Sequence, residues 1–381
     1  MSSNTTRPTP NPFKPILRPL FLCALAALLT PAWAPLPAVA NDKHAGQFQQ
    51  TDLVSDQPGV ALLQDTNLVN AWGISFSATS PFWVSANHSA RSVLYSVTND
   101  SSGSPQVSKV GLEVTIPGEG SPTGQVFNNT TGFHTNLFIF ASEDGIISGW
   151  RGSLGTAAEI LVNNSNAVYK GITIATGASG PVLLAANFGE GTVDAYDGNL
   201  NLLGQFADPK APMGYAPFNV QDINGIVFVT FAKQDEFKHD DVKGPGHGLI
   251  DTFNLQTGAF LRFATGSDAG GKRKEINSPW GLALSPASFR KHDDELLVGN
   301  FGSGTIMAFN AKGKFRGLLE GANRAPVAID GLWGLTFGNG GRGGVPGTLY
   351  FSAGPDDEGH GLFGSLEPVA NPGHGHGHNK D

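Results

Sequence analysis

The sequence predicts an all-β fold, a six-bladed β-propeller of four-stranded antiparallel blades. Three observations carry this. Glycine (51) and proline (25) are abundant among 381 residues while charged residues make up only 15%, the composition of many short strands joined by tight turns. No stretch sustains a 3.6-residue apolar period, which excludes a helical bundle. One layout recurs six times, and from Trp72 to Trp333 is 261 residues, or about 52 per repeat, a blade-like period. The glycines follow no three-residue period, so collagen is excluded, and 40% hydrophobic residues are too many for a disordered chain.

Residues 1–40 read as a secretory signal. Arg7, Lys14 and Arg18 form a basic leader, Leu20 to Leu29 is an apolar run of ten, and Ala38-Val39-Ala40 supplies a small-residue cleavage pattern before Asn41. Ten apolar residues are too few to span a bilayer, which takes about 20. The sole cysteine, Cys23, lies in this leader, so the exported chain has neither disulfide nor thiolate metal site. The leader carries three basic and no acidic residues; the remainder has 21 basic against 32 acidic residues and a net charge of −11. Such a surface repels phosphate backbones and excludes nucleic acid as a partner. The expected organisation is a cleaved signal over 1–40, one propeller over 41–368 and a disordered Gly/His-rich tail over 369–381.

Each repeat holds apolar or alternating runs of four to eight residues parted by Gly, Asn, Asp or Pro. Asn70-Ala71-Trp72-Gly73-Ile74 precedes Phe82 to Asn87, and Lys170-Gly171-Ile172 precedes Val182 to Gly189. Asn277 to Leu284 precedes Glu295 to Gly302, and Asp330 to Phe337 precedes Thr348 to Gly354. Two copies are degenerate: Leu137 to Ser142 with Gly145 to Trp150, and Phe218-Asn219-Val220 with Ile226 to Phe231. Arranged radially, such units cover one another's faces and leave only short edges. In the Trp-Gly pairs, glycine allows close backbone approach and tryptophan is expected to fill the wedge between blades. Thr98 to Gly132 reads as strands plus a long surface loop, and Ala232 to His247 as a charged insertion in the fourth unit.

Several segments together resemble a family of uncharacterised secreted bacterial proteins with NHL-like repeats, some of which end in a PEP-CTERM sorting signal. They are Asp52 to Asp56, Asn67 to Gly73, Gly120 to Asn128, Glu143 to Trp150, and His239-Asp240-Asp241-Val242 with Gly244-Pro245-Gly246. The resemblance spans about residues 48 to 368. It implies an exported propeller and transfers no activity. The chain ends in His and Gly rather than in an apolar helix with a basic stop, so release rather than sorting is expected.

Propellers bind along the central axis, at the mouth where the innermost strands begin. The residues just before each inner strand, Asn70, Lys170, Asn219, Asn277 and Asp330, are the expected mouth residues, a set suited to a hard cation or a polar ligand. It is similar to the metal centre of gluconolactonase-like propellers, where a Glu, Asn residues and an Asp hold a divalent ion. That resemblance makes Asp330 and Asn277 candidate ligands for Ca²⁺ or Zn²⁺, although the axial Glu has no counterpart in the repeat. Asp235, Glu236, His239, Asp240 and Asp241, and Asp356-Asp357-Glu358 with His360, are further acidic clusters without EF-hand spacing. In the tail, His374, His376 and His378 alternate with glycine and suit Zn²⁺, Cu²⁺ or Ni²⁺. There is no Gly-x-Ser-x-Gly elbow, catalytic cysteine, His-Glu-x-x-His or phosphate-cradling loop. The reading is a secreted, monomeric binding propeller for a small polar molecule, a glycan or a protein. A metal-dependent hydrolase or lyase at the same mouth, and a metal-binding role for the tail, are the alternatives.

Overall fold

A computed structural model of the chain describes residues 46–369 apart from Ser288. Residues 1–40, read above as a signal, and the histidine tail lie outside these residues. Six antiparallel sheets follow one another along the chain. Blade 1 is Ala71–Ser75, Phe82–Ala86, Arg91–Asn99 and Pro105–Thr115; blade 2 is Pro122–Phe127, Phe138–Ser142, Ile146–Trp150 and Glu159–Asn163. Blade 3 is Tyr169–Gly177, Gly180–Asn187, Thr192–Asp197 and Leu202–Phe206; blade 4 is Tyr215–Ile223, Ile226–Lys233, Leu249–Asn254 and Ala259–Thr265. Blade 5 is Pro279–Leu284, Leu296–Asn300, Ile306–Phe309 and Phe315–Leu318. The stretch that reads as strands plus a long loop, Thr98 to Gly132, holds the outer strand of blade 1 and the inner strand of blade 2.

Blade 6 takes Leu332–Phe337, Leu349–Ala353 and Leu362–Pro368 from the C-terminal end and its fourth strand, Gln47–Ser55, from the N-terminal end, and the two-residue strands Leu63–Gln64 and Glu320–Gly321 pair with that fourth strand in parallel. Phe48 pairs with Pro368 and Ser55 with Leu362. The ring is thus closed by backbone hydrogen bonds between the two ends of the described chain, which removes the edge a linear array would expose.

The inner strands are buried and the outer ones half-exposed, as in Leu332–Phe337 against Leu202–Phe206. Every inner strand carries a register shift at one place: around Trp72, Thr123, Lys170, Phe218, Trp280 and Trp333. A bulge re-aims the side chain at its apex. Here it turns aromatic apices onto the axis rather than into the wedges between blades, correcting the expectation for Trp72, Trp280 and Trp333. Trp333 is sandwiched between Trp72 (centroids 3.7 Å, 16° between planes) and Phe301 (3.8 Å, 13°). Trp280 meets Trp72 and Trp333 edge-on at 6.3 and 6.0 Å. With Phe188 and Phe218 these rings form one buried cluster across the hub.

The residue after each apex lets neighbouring blades touch. A Cβ on Gly73 would lie 2.5 Å from the Thr123 carbonyl oxygen, one on Gly124 2.9 Å from Gly171 Cα, and one on Gly334 2.8 Å from the Trp72 carbonyl oxygen. Blade 4 has Asn219 at this place, and its Nδ2 donates to the Trp280 carbonyl at 2.8 Å. Gly281 is equally crowded, its Cβ site 2.5 Å from the Trp333 carbonyl oxygen. Gly281→Ala is expected to destabilise the protein by about 1–3 kcal/mol, the usual range for forced overpacking. Chemical denaturation measures this, and an unchanged midpoint would show that the hub has slack.

Candidate functional site

The aromatic plug divides the axis. On the side where the inner strands end, a cavity of about 280 Å³ is lined by all six, among them Ser75, Val126, Thr173, Gln221, Leu282 and Thr336. On the side where they begin, the turns between the second and third strands of the blades converge, and there the charged groups gather.

Lys170 is the centre of that mouth. It occupies the bulge position that blades 1, 5 and 6 fill with tryptophan, so packing alone does not account for a cation there. Its side chain is 2% exposed. Its Nζ donates to Glu143 Oε1 in a short contact and lies 3.2 Å from Asp240 Oδ1. It also sits over the Trp72 ring, 5.3 Å from the centroid, a favourable position for an ammonium. Burial alone would lower its pKa; the opposing charges of Glu143 and Asp240 and the bond to Glu143 outweigh burial and raise it. Lys170 is therefore a fixed ammonium at neutral pH.

The second layer is polar and buried. Asn87 Nδ2 donates to Glu143 Oε2 at 2.9 Å. Asn70 Nδ2 donates to Glu358 Oε2 at 2.6 Å, and Asn70 Oδ1 accepts from Trp333 Nε1 at 3.0 Å, linking the mouth to the plug. Asn70 takes a left-handed φ of 49°, which asparagine tolerates better than most residues. Glu358 is pushed up to about 7, mainly by burial and further by the Glu143 charge, against the pull of Lys170 and the Asn70 bond.

The insertion of blade 4, residues 234–248, lies over this cluster. Gln234 Nε2 donates to the Phe188 carbonyl at 2.5 Å, and Lys243 Nζ sits 4.4 Å from the Phe301 ring centroid. The Gly244 amide donates to Asn277 Oδ1 at 2.6 Å. Asp240, its side chain 66% exposed, brings its carboxylate down onto Lys170 and pairs through Oδ1 with His239 Nδ1 at 3.0 Å. The His239 bond and, with it, the Lys170 charge hold Asp240 well below the usual carboxylate range against its desolvation, and the same bond raises His239. Desolvation pushes the neighbouring Asp241 up.

Of the five residues expected at the mouth, the structure brings Asn70 and Lys170 into this cluster. Asn219 faces the hub and the cavity beyond the plug. Asn277 is buried but spends its side-chain oxygen on the Gly244 amide. Asp330 is exposed, and its Oδ2 accepts the Asp356 amide at 2.9 Å. Asn277 and Asp330 thus act on different loops, one on the insertion and the other on the turn of blade 6. Glu143, Glu358 and Asn87 are axial residues that the repeat pattern missed, since they come from turns rather than strand starts. The signal was present in Glu143-Asp144-Gly145 directly after an apolar strand and in Asp356-Asp357-Glu358 at the equivalent turn of blade 6.

Glu143, His239 and Asp240 each offer a ligand atom within 4.8 Å of the others, chemistry suited to a divalent ion. Two of these three groups already contact the Lys170 ammonium, and that charge opposes a second cation. Zn²⁺ added to protein lacking residues 370–381 is therefore expected to leave the melting temperature unchanged at pH 7. A stoichiometric rise would overturn this reading of the triad.

No family model matches the chain. Two uncharacterised proteins of Acanthamoeba polyphaga mimivirus are similar to it, one 28% identical over 94% of this chain and 88% of its own length, the other 29% identical over 82% and 84%. Among solved structures, an auxiliary nutrient binding protein from Bacteroides thetaiotaomicron superposes with a TM-score of 0.53 at 12% identity, covering 84% of this chain and 77% of its own. A streptogramin B lyase gives 0.47 at 10% identity, covering 84% and 97%. The structural likeness concerns the propeller fold, and the sequence relatives found are viral where the resemblance pointed to bacterial secreted proteins. Among the described residues, no helix is long and apolar enough to cross a membrane.

Proposed function

We propose that this chain is an exported propeller that binds a small polar ligand at its axial mouth, with Lys170 as the charged anchor and the 234–248 insertion as a lid. The observation that carries this is Lys170 itself. A buried ammonium in place of a tryptophan, ringed by Glu143, Glu358, Asn70 and Asn87 from three other blades, is a costly arrangement for packing and a fitting one for recognition. The aromatic plug beneath it gives the site a floor, so a ligand enters from the mouth and stops there. The signal-like leader supports export.

The test is a thermal-shift screen of small carboxylates, polyols and amines. A compound of this class is expected to raise the melting temperature of the wild type and to lose its effect in Lys170→Met and weaken in Lys170→Arg. The arginine variant keeps the charge while changing the donor geometry. Hits that act equally on all three proteins would place binding elsewhere and end this reading.

A metal-dependent hydrolase or lyase at the same mouth is the second reading; its ligand set would be Glu143, His239 and Asp240, with an ion that outcompetes the Lys170 ammonium for them. It requires one tightly held ion per chain that survives removal of the histidine tail, which elemental analysis of untagged protein decides.

A further inference from the structure

We propose that Asp240 is an internal stand-in for the ligand: the Lys170 site takes the carboxylate of a small organic acid, and the 234–248 loop withdraws Asp240 when that acid binds. This rests on the binding reading above and names its ligand class.

Three features point to a replaceable carboxylate. The first is the asymmetry around Lys170. Its partner Glu143 is 13% exposed and braced by Asn87, whereas Asp240 is 66% exposed and arrives on a loop from the solvent side. The loop's other hold on the blade 6 turn is weak, a 3.5 Å pair between Lys243 and Asp357 whose carboxylate is 98% exposed. An exposed pair of that kind adds little, and the loop's firm anchors, Gln234 on the Phe188 carbonyl and the Gly244 amide on Asn277, lie at its two ends, so they can stay made while the stretch between them swings the Asp240 carboxylate outward.

The second feature is a donor without an acceptor. Trp72 is 1% exposed, and its Nε1–H has no hydrogen-bond partner. A buried unmatched donor is destabilising unless something satisfies it. This indole is the one over which the Lys170 ammonium sits. Beside the plug there is therefore a charged donor shared between Glu143 and a loop carboxylate, and a neutral donor that Asp240 leaves unmatched. A free carboxylate, unconstrained by the loop, has two oxygens to offer to the pair.

The third is charge. The mouth already holds several carboxylates, so an added anion would be repelled. Exchanging Asp240 for a ligand carboxylate leaves the charge beside Lys170 unchanged, and the exchange avoids the penalty that simple addition would carry.

A site occupied by its own side chain binds with an affinity reduced by the fraction of time it is free. Asp240→Asn is therefore expected to bind succinate about tenfold more tightly than wild type, read by titration calorimetry. Glu236→Gln, the same change of charge at an exposed position of the loop, is expected to match the wild type. In parallel, Lys170 is expected to be acetylated faster by an amine-reactive ester in Asp240→Asn than in wild type, read by peptide mass spectrometry; this reports the loop even where affinity is low. Equal tightening in Asp240→Asn and Glu236→Gln would reduce the effect to bulk charge and overturn the proposal, as would unchanged Lys170 reactivity. Binding of methylammonium or Zn²⁺ in place of succinate would show that the cluster selects cations and would overturn it too. If Lys170-dependent binding appears only with polyols, the mouth remains the binding site while the carboxylate proposal fails; if no probe binds there, both fall.

Discussion

Lys170→Met is expected to destabilise the protein by roughly 3 kcal/mol at pH 7.5, the lower end of the range for stripping one partner from a buried ion pair. Methionine fills much of the volume and retains contact with Trp72, so the loss is mainly electrostatic. Glu143 would remain in a nearly closed site with only Asn87 as a donor, and Glu358 would lose the one nearby cation that lowers its pKa. Asp240 contributes less, because its exposed carboxylate can turn to water. The deficit should shrink as the pH falls from 8 through about 7, where Glu358 takes up its proton and no longer depends on the Lys170 charge. Urea denaturation at a series of pH values measures this. A deficit that stays constant with pH would mean that Lys170 acts through packing, and the electrostatic account of the mouth would fail.

Strand and turn chemistry were legible in the sequence because both are local. The apolar runs and the Gly, Asn and Asp punctuation give all six blades, and the lysine of Lys170-Gly171 already stands at a hub position. The register of the hub was harder to read. In blades 1, 5 and 6 the polar residue before the strand looks axial, yet the bulge turns Trp72, Trp280 and Trp333 inward and leaves Asn277 and Asp330 to hold loops. A bulge is a one-residue irregularity that an alternating pattern does not announce. The closing strand Gln47–Ser55 pairs with residues more than 300 positions away, and no local signal specifies such a partner. Glu143 and Glu358 meet Lys170 only because six turns converge on one axis, a consequence of ring closure rather than of spacing within any repeat.

Glu358→Gln is expected to stabilise the protein at pH 8 and to leave it nearly unchanged at pH 5. The carboxyl of Glu358 ordinarily titrates at 4.5 and in the fold at about 7, with burial the leading cause. The folded state therefore holds a proton that the unfolded chain has released across the interval between those values. Stability from this group is fully present below about pH 4.5 and is lost as the pH rises through about 7, by an amount on the order of 3 kcal/mol. Glutamine keeps an acceptor for Asn70 Nδ2 and removes the charge, so the variant should lack this part of the pH dependence. Asp251, also raised to about 7 by burial, gives the wild type a second slope of the same sign. The diagnostic quantity is therefore the difference between wild type and variant, followed from pH 5 to 8. If Glu358→Gln is instead destabilised at pH 8, Glu358 serves as an ionised partner of Lys170, and the mouth holds its charges by pairing rather than by keeping one carboxyl protonated.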